Sequence, residues 1–378
     1  MRIGILTLPL HTNYGGILQA YALQRVLQGM GHEVVVIDEE KQFRFSLKRR
    51  IEMYVKGKLK RLLLGKDAII YSPEYYKLLW EARTKYTGQF VAEHIARRGV
   101  SNISEITEGE FDAFVVGSDQ IWRERYAKLF PGVRNAFLQF TEGWNVRRIS
   151  YAASFGTDKW EYNKSDTVTC SVMVQRFDAV SVREASGVEL CRDKLSVEAT
   201  HVVDPTLLLD STDYIKLINT DTSRSQGDLM CYVLDKGLET DNILADIAKR
   251  TSLKPFHSNS QTENQKLSLE ERIQPSVEQW LQGFRDAEFI VTDSFHACIF
   301  AILFRKPFVV VGNESRGITR FKSLLQMFGL EKQLVLSYED YSQREESLLC
   351  PIDYEQVYQK LEEKRREAIK FLQSALSK

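Results

Sequence analysis

Short apolar segments alternate with helical ones from the start of the chain, and this order constrains the fold more than any other feature. Residues 2–8 and 32–38 are apolar and rich in β-branched side chains, which is typical of buried parallel strands. Between them, residues 17–30 carry apolar side chains at helical spacing and end at Gly31, a helix stop signal. A strand, a helix and a second strand in this order predict a βαβ unit.

The same alternation continues through the rest of the 378 residues. Further strands are predicted at 111–116, 148–153, 178–182, 229–234, 288–292 and 307–311, and helices at 241–250, 276–286, 295–304 and 354–377. A chain of this length usually forms two domains. We therefore predict an α/β fold of two doubly wound, Rossmann-like domains. The expected division is residues 1–205 with a basic helical insertion at about 41–100, residues 206–350, and a C-terminal helix at 351–378 that packs back on the first domain.

Composition argues against several classes of protein. Lys plus Arg equals Asp plus Glu, at 51 each, and this zero net charge argues against nucleic-acid binding. The five cysteines are widely spaced and form no CxxC pair, which argues against a disulfide framework, and no residue spacing suggests a metal site. The N-terminal residues do not resemble a signal peptide, and no apolar run reaches the ~20 residues of a membrane span. A cytoplasmic location is expected.

Residues 41–66 differ from the rest of the chain because they hold ten Lys or Arg residues and one acid, Glu52. Apolar side chains recur every three or four positions, at Leu47, Ile51, Val55, Leu59 and Leu62. This pattern predicts a basic amphipathic helix. Two interpretations are open: the helix contacts the inner face of an anionic membrane, or it packs its apolar stripe on the domain and exposes its charges.

The strand predicted at 288–292 leads into a candidate anion site. Ser294 is a good helix N-cap, which places His296 in the first turn of a helix beyond the carboxyl end of a parallel strand. Ligands bind at that edge of open α/β sheets, and helix N-termini favour anions. A structural histidine that bonds a backbone carbonyl would produce the same pattern.

Two other predicted strands end in polar residues. Residues 178–182 lead to Arg183, whose donors suit a carboxylate or phosphate, unless Arg183 forms an ion pair with Glu184 or Asp204. Residues 111–116 lead to Ser118 and Asp119. The turn at Ser118 could expose N–H groups to an anion, and Asp119 could accept a proton from a sugar hydroxyl or act as a turn or N-cap residue.

The loop before the first predicted helix contains Asn13, Gly15 and Gly16. Small residues there allow a ligand to approach the backbone, or a glycine supplies a positive φ. The loop is neither GxGxxG nor a Walker loop, so a dinucleotide site has a weak basis. Arg316 and Arg320 follow the strand that ends near 311, and each either completes an anion pocket or lies on a solvated helix.

These motifs, in this order and over nearly the whole chain, resemble the polysaccharide pyruvyl transferase family. The resemblance implies a GT-B-like arrangement with the active site in the cleft between domains. It also implies phosphoenolpyruvate as donor co-substrate, no other cofactor, and a saccharide acceptor from capsule or exopolysaccharide biosynthesis. A lipid-linked acceptor would explain the basic helix.

The family's donor-binding Arg and His fall on Arg183 and His296, with His296 as acid or phosphate ligand and Asp119 as candidate base. The complete donor site is expected to comprise Asn13, Gly15, Gly16, Ser118, Arg183, Ser294, His296, Arg316 and Arg320. Two other functions stay open. One is a GT-B-like glycosyltransferase that uses a nucleotide sugar, and the other is a catalytically inactive saccharide-binding protein of the same fold.

Overall fold

A computed structural model of the chain contains two parallel β-sheets flanked by helices. It describes residues 1–43, 45–64, 72–128, 130–219, 221–235, 237–260, 262, 264, 267–312 and 317–377. The alternation of strands and helices in both halves confirms the predicted α/β fold of two doubly wound, Rossmann-like units. No described helix combines the length and apolarity that crossing a membrane requires.

The N-terminal sheet has seven parallel strands in the order β3-β2-β1-β4-β5-β6-β7. Their bounds are β1 Arg2–Leu6, β2 Glu33–Glu39, β3 Arg97–Val100, β4 Ala113–Val116, β5 Arg147–Ala153, β6 Ala179–Val182 and β7 Thr200–His201. The inner strands are apolar on both faces because helices cover both sides of the sheet, and Ile3, Ile5 and Val115 are fully buried. The helices of this half are α1 Tyr14–Gly29, α2 Leu47–Leu64, α3 Pro73–Arg83, α4 Lys85–His94, α5 Glu124–Ala127, α6 Lys164–Val174 and α7 Ala185–Leu195.

The C-terminal sheet has five parallel strands in the order β12-β11-β10-β8-β9. They are β8 Leu229–Tyr232, β9 Pro255–His257, β10 Phe289–Thr292, β11 Phe308–Val311 and β12 Leu334–Val335. The accompanying helices are α8 Ser211–Ile215, α9 Leu238–Thr251, α10 Val277–Asp286, α11 Phe295–Leu303, α12 Ile318–Phe328, α13 Tyr338–Ser342, α14 Glu345–Leu348 and α15 Tyr354–Ser377.

The two halves meet across an apolar seam. Tyr14, at the start of α1, stacks on Trp280 of α10 with ring centres 5.2 Å apart, and its hydroxyl donates to the Pro275 carbonyl oxygen at 2.6 Å. The C-terminal helix α15 returns to the first sheet. There the guanidinium of Arg147 in β5 donates to the Ala375 carbonyl oxygen at 3.3 Å. Arg365 also donates to the Leu209 carbonyl oxygen at 2.7 Å and forms an ion pair with Asp210, in the segment that joins the two sheets. The seam therefore holds the carboxyl ends of both sheets close together.

The basic helix α2 exposes its apolar stripe. The exposed fractions of Leu47, Ile51 and Leu62 are 73%, 55% and 82%. The prediction of an amphipathic helix is confirmed over Leu47–Leu64, while residues 65–66 and Arg44 lie outside the described residues. The interpretation in which this stripe packs on the domain is wrong for these residues, because they face away from the protein.

Candidate active site

The carboxyl edge of β10 carries the histidine that the sequence singles out. Thr292 ends the strand, Ser294 caps α11 by accepting a hydrogen bond from the backbone N–H of Ala297, and His296 is the second residue of the helix. The strand-to-helix turn thus directs the imidazole toward the N-terminal half of the protein. The ring is almost buried, with 6% of the residue exposed.

Asp204 is the centre of a buried polar network around that imidazole. Its Oδ2 lies 2.7 Å from Arg183 Nη1, 2.9 Å from Ser118 Oγ and 3.6 Å from His296 Nε2. Its Oδ1 accepts from the backbone N–H and the hydroxyl of Thr206 at 3.0 and 2.7 Å. Five polar groups from three loops of the first sheet and one helix of the second therefore converge on one carboxylate.

The charges in this network determine the ionisation of Asp204. Burial opposes the charged form, but the imidazole of His296 and the guanidinium of Arg183 outweigh it and hold the pKa of Asp204 well below its usual range. Asp204 is therefore a carboxylate at neutral pH. Burial and the positive charge of Arg183 lower the pKa of Arg320 to about 10, so Arg320 remains a cation at neutral pH.

Arg183 lies beside His296 and is buried, with 4% of the residue exposed. The sequence leaves open whether Arg183 binds an anionic ligand or forms an ion pair with Glu184 or Asp204. The structure shows the ion pair with Asp204, and both side chains are nearly inaccessible to solvent. The guanidinium also lies over the Phe295 ring at 4.4 Å from its centre, and Nη1 is 3.5 Å from His296 Nε2. Its Nε and Nη2 atoms have no hydrogen-bond partner among the described residues, which is uncommon for buried polar atoms.

Gly15 makes room for the imidazole. Both Gly15 and Gly16 lie in the first turn of α1, not in a loop, and neither has a positive φ, so the expectation of a loop glycine is wrong. A Cβ atom built on Gly15 would lie 1.9 Å from His296 Nδ1. The glycine is therefore required by a contact with the other half of the protein.

We expect Gly15→Ala to displace His296 while the helix keeps its stability. The added methyl group cannot share space with the imidazole, although alanine is favoured over glycine in a helix by about 0.5–1 kcal/mol. Gly29→Ala is the matched control, because no atom lies within 4 Å of a Cβ at that end of the same helix. Enzymatic activity and the Tm should both be measured. Full activity in Gly15→Ala would contradict the contact.

Asp119 lies at the end of β4 in a left-handed backbone conformation, with φ of 56°. Its Oδ2 accepts from Asn13 Nδ2 at 3.2 Å, and its Oδ1 accepts from the Gln120 backbone N–H at 2.9 Å. Asp119 is thus a turn residue and not a helix N-cap. Asn13 has the N-cap position of α1, but its side chain bonds Asp119 instead of the helix.

A cavity of about 380 Å³ opens between the two halves beside these groups. Of the predicted site residues, Asn13, Asp119, Ser294, His296 and Arg320 line it. Gly15, Gly16, Ser118 and Arg183 lie behind the wall, and Arg316 is outside the described residues.

Several cavity residues carry no clear signal in the sequence. Arg123 and Arg125 follow the Asp119 turn and add positive charge, whereas Asp293 accepts from the backbone N–H groups of Leu234 and Asp235 at 2.7 and 2.8 Å. The -Asp204-Pro205-Thr206- segment could have indicated the polar network around Asp204, because Asp204 also caps the 3₁₀ turn that follows it.

Among the described residues, no group of three His, Cys, Asp or Glu side chains could hold a metal ion.

The fold and this cleft define a GT-B-like α/β protein with a cationic cavity between two doubly wound units. A Listeria monocytogenes protein described as a UDP-N-acetylglucosamine 2-epimerase has a similar fold, with a TM-score of 0.50, 11% identity, and coverage of 94% of this chain and 90% of that chain. A sequence model of the polysaccharide pyruvyl transferase family matches residues 13–315, and the chain belongs to that family. It is therefore a transferase, and both the family and the fold predicted from the sequence are confirmed.

A second solved structure also matches this chain. The UDP-GlcNAc 2-epimerase from Neisseria meningitidis bound to UDP-GlcNAc gives a TM-score of 0.47 and 11% identity, over 100% of this chain and 99% of that chain. No curated protein matches the chain.

Proposed function

We propose that the protein transfers a pyruvyl unit from phosphoenolpyruvate to two hydroxyls of a sugar, forming a pyruvate ketal and releasing phosphate. The cavity between the two halves carries this proposal, because its wall includes Arg123, Arg125, Arg320 and His296. A donor with both a phosphate and a carboxylate needs such a cluster of cations. The acceptor in this proposal is a polysaccharide precursor of the capsule or exopolysaccharide type.

The reaction needs a proton donor and a base but no oxidant. A proton adds to the methylene carbon of the donor, and a sugar hydroxyl oxygen bonds to the adjacent carbon and loses its own proton. The carbon–oxygen bond to phosphate then breaks, and a second hydroxyl oxygen closes the ketal. The two sugar hydroxyls release two protons in total. One of them balances the proton that was added to the methylene carbon, and the other leaves with the phosphate.

The proposed roles follow from position. His296 reaches the cavity and supplies the proton, either to the methylene carbon or to the departing phosphate. Asp119, also on the wall, accepts a proton from the sugar hydroxyl. Arg183 is a positioning residue, because its guanidinium and Asp204 hold the imidazole from behind.

Donor choice can be tested by thermal unfolding with phosphoenolpyruvate and, separately, with UDP-N-acetylglucosamine. Stabilisation by phosphoenolpyruvate is expected, since a ligand that binds the native state raises the Tm. Stabilisation by the nucleotide sugar alone would favour a glycosyltransferase. Incubation with phosphoenolpyruvate and a panel of galactosides, glucosides and mannosides, followed by mass spectrometry, should then detect the pyruvyl adduct. Saccharide binding without phosphate release would indicate an inactive binding protein.

We also propose that α2 lies on an anionic membrane and brings the enzyme to a lipid-linked acceptor at the inner face. The support is the exposed apolar stripe beside seven Lys or Arg residues and one acid within Leu47–Leu64. Each basic residue near an anionic surface contributes about 1 kcal/mol, and the exposed leucines gain apolar contact with the acyl boundary.

We expect the protein to float with phosphatidylglycerol-containing vesicles and much less with pure phosphatidylcholine vesicles. The triple variant Leu47→Ser, Ile51→Ser, Leu62→Ser should weaken this binding, because three of the five apolar side chains of the stripe no longer insert. Leu238→Ser is the matched control, since Leu238 is 81% exposed on α9, far from α2 in sequence. Equal flotation of the triple variant and the wild type would contradict the proposal.

A further inference from the structure

A second cavity of about 350 Å³ adjoins the cationic one, and we propose that it binds the sugar ring of the acceptor. This inference rests on the proposed function of the neighbouring cavity. Its wall is mainly apolar and aromatic, with Leu8, Leu10, Trp80, Tyr126 and Phe130. Both volumes fall within the ~300–1,000 Å³ of small-molecule sites.

The two cavities differ in charge, and this difference separates the two substrates. Three arginines line the first cavity and outnumber its two carboxylates, whereas the charged groups of the second are the opposite pair Glu39 and Lys41. The charged residues of the first cavity are Arg123, Arg125, Arg320, Asp119 and Asp293. A small polyanion is favoured in the first. A neutral ring with apolar C–H faces and hydroxyls at its edge matches the second, where aromatic surfaces alternate with a few polar groups.

Trp80 is the main aromatic surface of the second cavity. Its ring is only partly buried, with Lys41 Nζ 5.4 Å from the ring centre and the His11 ring in edge contact at 5.6 Å between centres. Lys41 Nζ lies over this ring, so a sugar ring that stacks on the same face of the indole displaces the ammonium to the side, where Lys41 and His11 face the sugar hydroxyls. Aromatic side chains suit this contact because they offer large apolar area at low conformational cost.

His11 lies between the two cavities with a defined proton position. Its Nδ1 accepts a hydrogen bond from the Thr12 backbone N–H at 2.7 Å, which leaves the proton of the neutral ring on Nε2. Burial, with the charges of Arg83 and Lys41, lowers the pKa of His11 to about 4, so the ring is neutral at neutral pH. His11 can thus donate one hydrogen bond to a hydroxyl oxygen.

The two cavities are adjacent, as transfer between two bound molecules requires. Leu8, Pro9, His11 and Tyr126 line both of them. A sugar in the second cavity therefore has an edge beside a donor in the first. Such positioning of reactants accounts for much of the rate acceleration in group-transfer enzymes.

The test measures sugar binding without the donor. Saturation-transfer difference NMR should show ring-proton signals for at least one of methyl β-galactoside, methyl β-glucoside and methyl α-mannoside with the wild type. Trp80→Ala should weaken that binding about tenfold, and Trp80→Phe by less, because phenylalanine keeps an aromatic face. Leu78→Ala is the control on the same helix, since Leu78 is 55% exposed and outside the cavity wall.

The outcomes distinguish this inference from the proposed function. Stabilisation of Trp80→Ala by phosphoenolpyruvate to the same extent as the wild type is expected, and it also shows that the variant folds. Absence of signal for all three glycosides, or unchanged signal in Trp80→Ala, would overturn the inference even if phosphoenolpyruvate is the donor. Loss of donor stabilisation together with sugar binding would also overturn it, because the two cavities would then not be separate subsites. If phosphoenolpyruvate fails to stabilise the wild type, the proposed function fails while the NMR result stands on its own.

Discussion

Asp204→Ala is expected to lower the free energy of unfolding by about 3–5 kcal/mol, because it leaves a buried cation without its partner. The side chains of Asp204 and Arg183 are 1% and 2% exposed, so water cannot replace the lost carboxylate. Ser118 and Thr206 lose their acceptor at the same time. Urea unfolding at pH 7 measures the effect. The depressed pKa of Asp204 means that its contribution is complete above about pH 4 and is lost only as the pH falls further.

An exposed ion pair provides the control for this prediction. Arg176 and Glu142 lie 3.2 Å apart with side chains 43% and 55% exposed, and Glu142→Ala should cost less than about 1 kcal/mol. The double variant Asp204→Ala, Arg183→Met should lose less stability than the sum of its two single variants, since it removes both buried charges. Additive losses would show that the two side chains do not depend on each other.

His296→Ala is expected to lower turnover about 10²–10⁴-fold, the usual contribution of a general acid, while the protein stays folded. The direct contact between Arg183 Nη1 and Asp204 Oδ2, at 2.7 Å, is kept when the imidazole is removed, so the two buried charges still compensate each other. Phosphate release from phosphoenolpyruvate in the presence of an accepted saccharide measures the effect. Circular dichroism and a Tm close to that of the wild type would verify the fold.

A second histidine variant tests whether the effect is local. His257 is exposed at the end of β9, and His257→Ala should keep wild-type turnover. A separate comparison of kcat and KM for His296→Ala distinguishes the two roles: a lower kcat at unchanged KM indicates proton transfer, and a higher KM indicates phosphate binding. Wild-type kinetics in His296→Ala would remove His296 from the mechanism.

The interior strands of both sheets were predictable, whereas the edge strands were not. β4, β5, β8 and β10 are buried on both faces, and that burial requires the apolar runs visible in the sequence. β3 reads Arg-Arg-Gly-Val, and β7 and β12 have two residues each. Such short or charged edge strands have no apolar run, so only pairing with a neighbour reveals them.

The parts of the candidate site that depend on neighbouring residues in the sequence were predictable. The position of His296 follows from a strand end and a serine cap, both encoded within a few residues. The requirement for Gly15 depends on a contact with His296, which lies in the other half of the chain. The role of Asp204 likewise depends on distant residues, because its carboxylate contacts Ser118, Arg183 and His296 from separate segments of the chain. Contacts over such distances in sequence leave no pattern in a single chain.

The two ends of the excursion between β2 and α4, residues 41–83, lie close together. Lys41 reaches the face of Trp80, and β2 and β3 pair directly through Glu39 and Val100. Among its described residues, none lines the cationic cavity. A foreign segment of different length could therefore be grafted there at small entropic cost. We expect chimaeras of this kind to change which glycan is accepted, because Lys41 and Trp80 line the cavity proposed for the acceptor, and to leave the proposed donor site unchanged.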